Sequence, residues 1–159
     1  MQLLLFLGLL VFALLVLPAG AAAEADAGRK VEKDTDADGK IDRVVYYDEK
    51  GRIKRLDIDN NKDGEMDHFQ FYEDEFLVKM NRDTNYDGQV DTVDYFTEGR
   101  RVRQERFDEN RRINRITYFD ENEAPLKMKS DTNASGFFDT VYYFENGSLS
   151  LSTKDTDEN

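Results

Sequence analysis

Polar and apolar residues alternate along most of this chain with a period of two, and the alternation itself recurs. Apolar side chains stand at Val44, Phe69, Val93, Ile116 and Val141, spaced 25, 24, 23 and 25 residues apart, and two residues beyond each comes an aromatic: Tyr46, Phe71, Tyr95, Tyr118 and Tyr143. Beside and between them sit Arg43, His68, Thr92, Arg115 and Thr140, then Val45, Gln70, Asp94, Thr117 and Tyr142. An apolar face opposite a mostly polar one, at period two, marks a half-buried strand. Tyr, Phe, Val and Ile also suit a pleated surface. A further aromatic follows in every copy, Tyr47, Tyr72, Phe96, Phe119 and Phe144, on the polar side, where it either stacks across neighbouring strands or marks a binding surface.

Short connections follow these runs. DEKG at 48–51, TEGR at 97–100 and ENG at 145–147 place glycine where a tight turn needs positive φ. Weaker strand-like runs come next: RIKRLDI at 52–58, FLVKM at 76–80, VRQERF at 102–107, LKMK at 126–129 and SLSL at 148–151. The expectation is an all-β fold with five antiparallel hairpin repeats of about 24 residues over 34–159, forming one curved or partly closed sheet. The stretch YYDEKGRI at 46–53 resembles the tyrosine-aspartate repeats of Rhs type, which implies a hairpin array and no particular activity.

Between repeats the chain is acidic. DTDADGKID at 34–42 returns as DNNKDGEMD at 59–67 and DTNYDGQVD at 83–91. Oxygens at loop positions 1, 3, 5, 7 and 9 can wrap a hard cation, with a glycine at position 6 for the bend. These are Asp34, Asp36, Asp38, the Lys40 carbonyl and Asp42; then Asp59, Asn61, Asp63, the Glu65 carbonyl and Asp67; then Asp83, Asn85, Asp87, the Gln89 carbonyl and Asp91. A fourth copy, DTNASGFFD at 131–139, keeps Asp131, Asn133 and Asp139 but has Ser135 at position 5. RFDENRRIN at 106–114 has lost the pattern, and its DENR reads as a plain turn. An Asp/Asn/Gly turn needs no metal, because such side chains satisfy their own backbone. A turn does not, however, require three or four carboxylates at the same positions three times over.

The DxDxDGxxD pattern resembles the first nine positions of an EF-hand loop, and more closely the calcium loops of thrombospondin type 3 repeats and integrin-type propeller blades. Position 12, which in an EF-hand is a bidentate Glu, is here Val45, Gln70 and Asp94, within strands. The resemblance implies calcium held by strand-flanked loops.

Composition fits such a role. The 159-residue chain has a formal net charge of -12 and no cysteine, so no disulfide offsets the repulsion among its carboxylates. Residues 1–23 carry no charged side chain. An apolar run from Leu3 to Leu17 and the small residues Ala19 to Ala23 read as a signal peptide with Ala21 and Ala23 at an AxA-type site, or else as an uncleaved membrane anchor. Residues 24–33 read as a linker, and the rest as exported to the periplasm or exterior. A membrane contact is expected only where the leading segment stays uncleaved.

No catalytic constellation stands out. His68 is alone, no thiol exists, and no serine sits in a GxSxG elbow. Net negative charge disfavours nucleic acid. The basic cluster GRRVRQER at 99–106 with RRINR at 111–115 either docks an anionic partner or bridges to neighbouring acids. The leading expectation is a secreted, non-enzymatic calcium-binding repeat protein with a structural role or a surface polysaccharide or protein partner. A calcium sensor or buffer and a hydrolase of surface polymers are the alternatives.

Overall fold

The computed structural model describes residues 28–155, so the leading apolar segment and its cleavage site lie outside the described residues. Eleven strands form one antiparallel sheet in strict chain order: β1 Lys30–Lys33, β2 Arg43–Tyr47, β3 Ile53–Ile58, β4 His68–Glu73, β5 Phe76–Arg82, β6 Thr92–Thr97, β7 Arg100–Phe107, β8 Ile113–Phe119, β9 Pro125–Ser130, β10 Thr140–Glu145 and β11 Ser148–Lys154. Every strand packs on its sequence neighbours alone. The sheet is open, with β1 and β11 at its edges. The all-β hairpin expectation therefore describes it, with one addition: Lys30–Lys33, expected as the end of a linker, pairs with β2 as the first strand.

Pairing register assigns the side chains to two faces. On the front face, Lys30, Tyr46, Arg55, Phe71, Lys79, Tyr95, Arg103, Tyr118, Lys127 and Tyr143 stand opposite one another from β1 to β10, a row in which cation and aromatic alternate strictly. The Arg55 guanidinium lies 5.3 Å from the Tyr46 ring centre and 5.4 Å from that of Phe71, and Arg103 lies 4.5 Å from Tyr95. A cation over a ring face is attracted by the ring quadrupole, by about 0.5 to 1 kcal/mol at exposed sites. The next row on that face alternates polar and apolar in the same way, Glu32, Val44, Asp57, Phe69, Asn81 and Val93 among its members. Arg55 pairs along its own strand with Asp57 at 2.6 Å, and Arg103 pairs likewise with Glu105. The second strand of each of the first four repeats looks weak in the sequence because it supplies the cations that cover its neighbours' rings.

The consequence is a sheet with almost no apolar interior. Among the described residues, Val44 and Val93 are the only hydrophobic side chains classed as buried. The one large side chain shut fully from solvent is a carboxylate, Asp94, on the back face. Arg82 donates to its Oδ2 at 2.6 Å, Gln104 to its Oδ1 at 2.8 Å, and Arg101 lies 3.5 Å away while stacking on Phe119 at 4.1 Å. The aromatics Tyr47, Tyr72, Phe96 and Phe119 share this face, as the alternation requires; Phe119 covers Arg101 and the Tyr72 hydroxyl donates to Gln70 at 2.5 Å.

Two turn families close the strands. At Asp74-Glu75, Glu98-Gly99 and Asn146-Gly147 both central residues have positive φ, the type I′ geometry whose twist matches a hairpin. Five-residue turns at 48–52, 108–112 and 120–124 are each tied by an aspartate: Asp48 Oδ1 accepts from the backbone of Lys50 and Arg52, and Asp108 and Asp120 repeat this bonding. Residues 108–111 thus make the plain turn read from DENR. A β-bulge between the two adjacent aromatics, Tyr46/Tyr47, Phe71/Tyr72, Tyr95/Phe96, Tyr118/Phe119 and Tyr143/Phe144, gives each hairpin its second aromatic.

Glu75 sits at φ 71 where its counterparts carry glycine. Glu75→Gly is expected to raise stability by about 0.5 kcal/mol, the relief of left-handed strain exceeding the entropy cost of glycine, as read from the urea midpoint. Asp94→Ala strands Arg82 and Arg101 and is expected to cost about 3 to 5 kcal/mol by the same measurement.

Candidate metal centre

The acidic connections join β1 to β2, β3 to β4, β5 to β6 and β9 to β10, so all four lie at one end of the strands. The first three are successively two strands apart, about 9.6 Å at ordinary strand spacing, and the fourth lies four strands beyond the third. They share one backbone plan. Position 4 has positive φ in each, at Ala37, Lys62, Tyr86 and Ala134, and so does the position 6 glycine, from 84° at Gly88 to 102° at Gly64. The first aspartate explains this path: Asp59 accepts from the Lys62 N–H at 2.7 Å and the Gly64 N–H at 2.8 Å, and Asp34 and Asp83 accept from the same two positions. In the degraded loop Asp131 accepts from the N–H groups of Ser135 and Gly136.

The last aspartate, at position 9, closes the loop. Asp42 accepts from the Thr35 N–H at 2.8 Å and the Thr35 hydroxyl at 2.5 Å; Asn60, Thr84 and Thr132 serve Asp67, Asp91 and Asp139. The position 2 residue escaped the sequence reading, although Thr or Asn stands there in every loop and was the signal to follow. Loop then joins loop, as the Asp59 N–H donates to the Asp42 carbonyl and the Asp83 N–H to that of Asp67.

In the first loop Asp34, Asp36 and Asp42 bring one oxygen each within 4.8 Å of one another, the one such group of acidic, histidine or cysteine side chains among the described residues. Asp42 is 7% exposed, and its Oδ1 is buried with no hydrogen-bond partner. An orphaned carboxylate oxygen beside two further carboxylates is a poor arrangement for an empty turn and a good one for a cation. These three residues could hold a metal ion. Asp38 stands outside the group, its Oδ1 accepting from the Lys40 N–H at 2.8 Å.

The second and third loops have asparagine at position 3, and there the side chains pair locally: Asn61 donates to Asp63 at 2.7 Å and Asn85 to Asp87 at 3.1 Å. Asp63 and Asp87 also accept from the N–H groups of Glu65 and Gln89. In the last loop Asn133 accepts from the Ser135 N–H, and the Ser135 hydroxyl takes the place of the position 5 carboxylate toward the Phe137 N–H.

Lysines and threonines of the loops hold several carboxyls below their ordinary range. Lys62 Nζ, from the second loop, reaches Asp36 Oδ2 at 2.5 Å and holds its carboxyl below the usual range. Lys40, from the first loop, reaches back to the carbonyls of Lys62 at 3.3 Å and Asp63 at 2.9 Å. The two lysines clamp adjacent loops reciprocally. Hydrogen bonds from Thr35 lower Asp42. Burial pushes Asp91 and Asp139 upward, but the threonines around them outweigh it and both end below the ordinary value. His68 lies on the back face, accepting from Gln70; burial and then Arg82 push its imidazole down, so it is neutral at neutral pH and offers no acid-base partner to the loops.

No family model matches the chain, and no curated protein is found to be similar to it. Solved structures do share its fold. One is a structure of accessory secretory proteins 1, 2 and 3 in Streptococcus pneumoniae, at 11% identity and TM-score 0.51, covering 70% of this chain. Another is a glycosylation-associated protein complex from Streptococcus agalactiae, at 13% identity and TM-score 0.51, covering 84% of this chain. The chain spans 20% and 22% of the length of those chains. At such identities the likeness is one of fold alone.

The bonding of position 1 makes a prediction for the metal-free protein. Asp59→Ala removes a buried acceptor of two N–H groups and is expected to cost about 2 kcal/mol in urea unfolding with chelator present. Asp38→Ala, on an exposed side chain, is expected to cost about 0.5 kcal/mol.

Proposed function

We propose that the chain is an exported calcium-binding repeat protein in which the ion has a structural role, fixing the acidic end of the sheet. The observation that carries this reading is the buried, unpartnered Oδ1 of Asp42 within the Asp34, Asp36 and Asp42 group. A divalent ion turns the mutual repulsion of these carboxylates into attraction. All the donors are oxygens on a flexible loop, which suits calcium; magnesium demands a stricter octahedron and keeps its waters. Filling three loops would take the formal charge from -12 to -6. The first loop, with aspartate at position 3, is the strongest site, and the loops with asparagine there follow it. Lys62 releases Asp36 when the ion enters. Export rests on the uncharged segment Leu3 to Ala23 with its small-residue end. No helix among the described residues is long and apolar enough to cross a membrane.

Calcium titration by calorimetry on the purified protein is expected to show saturable binding in the 10⁻⁴ to 10⁻³ M range typical of extracellular modules, roughly. Asp42→Ala abolishes the tightest event and leaves the others. Millimolar calcium raises the melting temperature relative to chelator; an unchanged melting curve, or Asp42→Ala binding like the parent, refutes the reading.

A further inference from the structure

The basic cluster at 99–115 divides once its partners are known. Arg100 pairs with Glu98 at 3.3 Å, Arg101 with Asp94, Arg103 with Glu105 and Arg112 with Asp108 at 3.2 Å, while Arg111 donates to Gln89 of the third acidic loop at 3.0 Å. Arg106 and Arg115 remain. They are directly opposite each other on β7 and β8. Neither guanidinium has a hydrogen bond or ion pair among the described residues, with Arg106 exposed and Arg115 half-buried. Side chains directly opposite have Cβ atoms about 5 Å apart, where like charges destabilise a sheet. A fold that gives nearly every other arginine a partner leaves these two side by side and open to solvent.

They belong to a longer row. Following the register across the back face, Lys33, Arg43, Arg82, Arg106, Arg115 and Lys154 all lie on one line from β1 to β11, and no acidic residue shares it. Lys33 and Arg43 are a second like-charged pair directly opposite. The acid in the adjacent row, Asp94, already has both oxygens taken by Arg82 and Gln104. The row is about 48 Å long at ordinary strand spacing. It runs perpendicular to the strands on a protein whose formal charge is -12.

We propose that this row binds an extended anionic polysaccharide bearing about one sulfate or phosphate ester per disaccharide, with Arg106 and Arg115 together gripping one ester group. Guanidinium forks match tetrahedral oxyanions bidentately, and two of them facing each other are stabilised by the anion they enclose. Around that doublet the free charges are sparse: Lys154 is three strands away, about 14 Å, and Arg82, two strands away, is already held by Asp94. Such spacing suits a widely charged glycan. Nucleic acid carries a phosphate about every 3.4 Å of each strand, so most phosphates would go unmatched. An anionic bilayer would press its whole plane against the adjoining acidic loops, whereas one chain along the row meets only their near edge, where Arg43 and Lys154 already offset Asp42 and Asp139.

The test is binding of chondroitin sulfate to the purified protein by calorimetry, with uncharged dextran, inorganic sulfate, oligodeoxythymidylate and phosphatidylglycerol vesicles as parallel probes. Chondroitin sulfate is expected to bind, to weaken steeply as salt is raised, and to lose about tenfold in affinity in each of R106Q and R115Q. R100Q, at the far hairpin, keeps parental affinity. Because the two arginines repel each other, the R106Q and R115Q proteins melt at or above the parental temperature, which separates lost recognition from lost folding. No binding of chondroitin sulfate, unchanged affinity in both variants, equal loss in R100Q, or lowered melting temperatures overturns the proposal. Tighter binding of the vesicles or the oligonucleotide, or of inorganic sulfate alone, overturns the assignment to a polysaccharide. The outcome is independent of the calcium reading, since chelator is present throughout.

Discussion

The described structure is one sheet thick, and the rest follows from that constraint. Most domains stabilise a sheet by burying one face against a second layer; here both faces must protect the backbone ladder with their own side chains. The solution on the front face is the alternating row of rings and long cations, in which Arg55 lies against Tyr46, Phe69 and Phe71 at once. Aliphatic stems cover apolar surface while the charged heads stay in water. On the back face the same problem is met by a buried carboxylate network around Asp94. Hydrophobic burial is replaced by many modest cross-strand interactions, which explains how a chain with mean hydropathy of -0.74 orders so many strands.

Charge is sorted by the same geometry. Acidic loops gather at one end because hairpins alternate ends, and the acidic first and last positions of successive loops are tied by backbone bonds from Asp59 to Asp42 and from Asp83 to Asp67. Cations that would neutralise them in a less ordered chain are held elsewhere, in the front row and along the back. Lys40 and Lys62, which brace one loop against the next, and Arg111, which donates to Gln89 of the third loop, are exceptions.

Much of this was legible in the sequence. The period of two, repeated about every 24 residues, located the first strand of every hairpin, and DENR at 108–111 read correctly as a plain turn. The strand Lys30–Lys33 was missed because KVEK has one apolar residue; its order comes from pairing with β2, a tertiary effect that local pattern does not carry. The front row was hidden for a related reason. Nothing in the local pattern around Lys79 and Arg103 points to Tyr95, against which register sets them both. Within the first loop, ligand spacing named Asp34, Asp36 and Asp42, which the structure brings together, but spacing alone could not separate them from Asp38, which turns to the Lys40 N–H.

Each strand touches only the strands before and after it. Nothing in the architecture counts its own repeats: duplication or loss of one 24-residue unit disturbs two seams and leaves the other hairpins as they were. Length is thus a free variable for evolution, in steps of two strands or about 9.6 Å. The molecule is a graduated rule, with a loop marking each division on its acidic end.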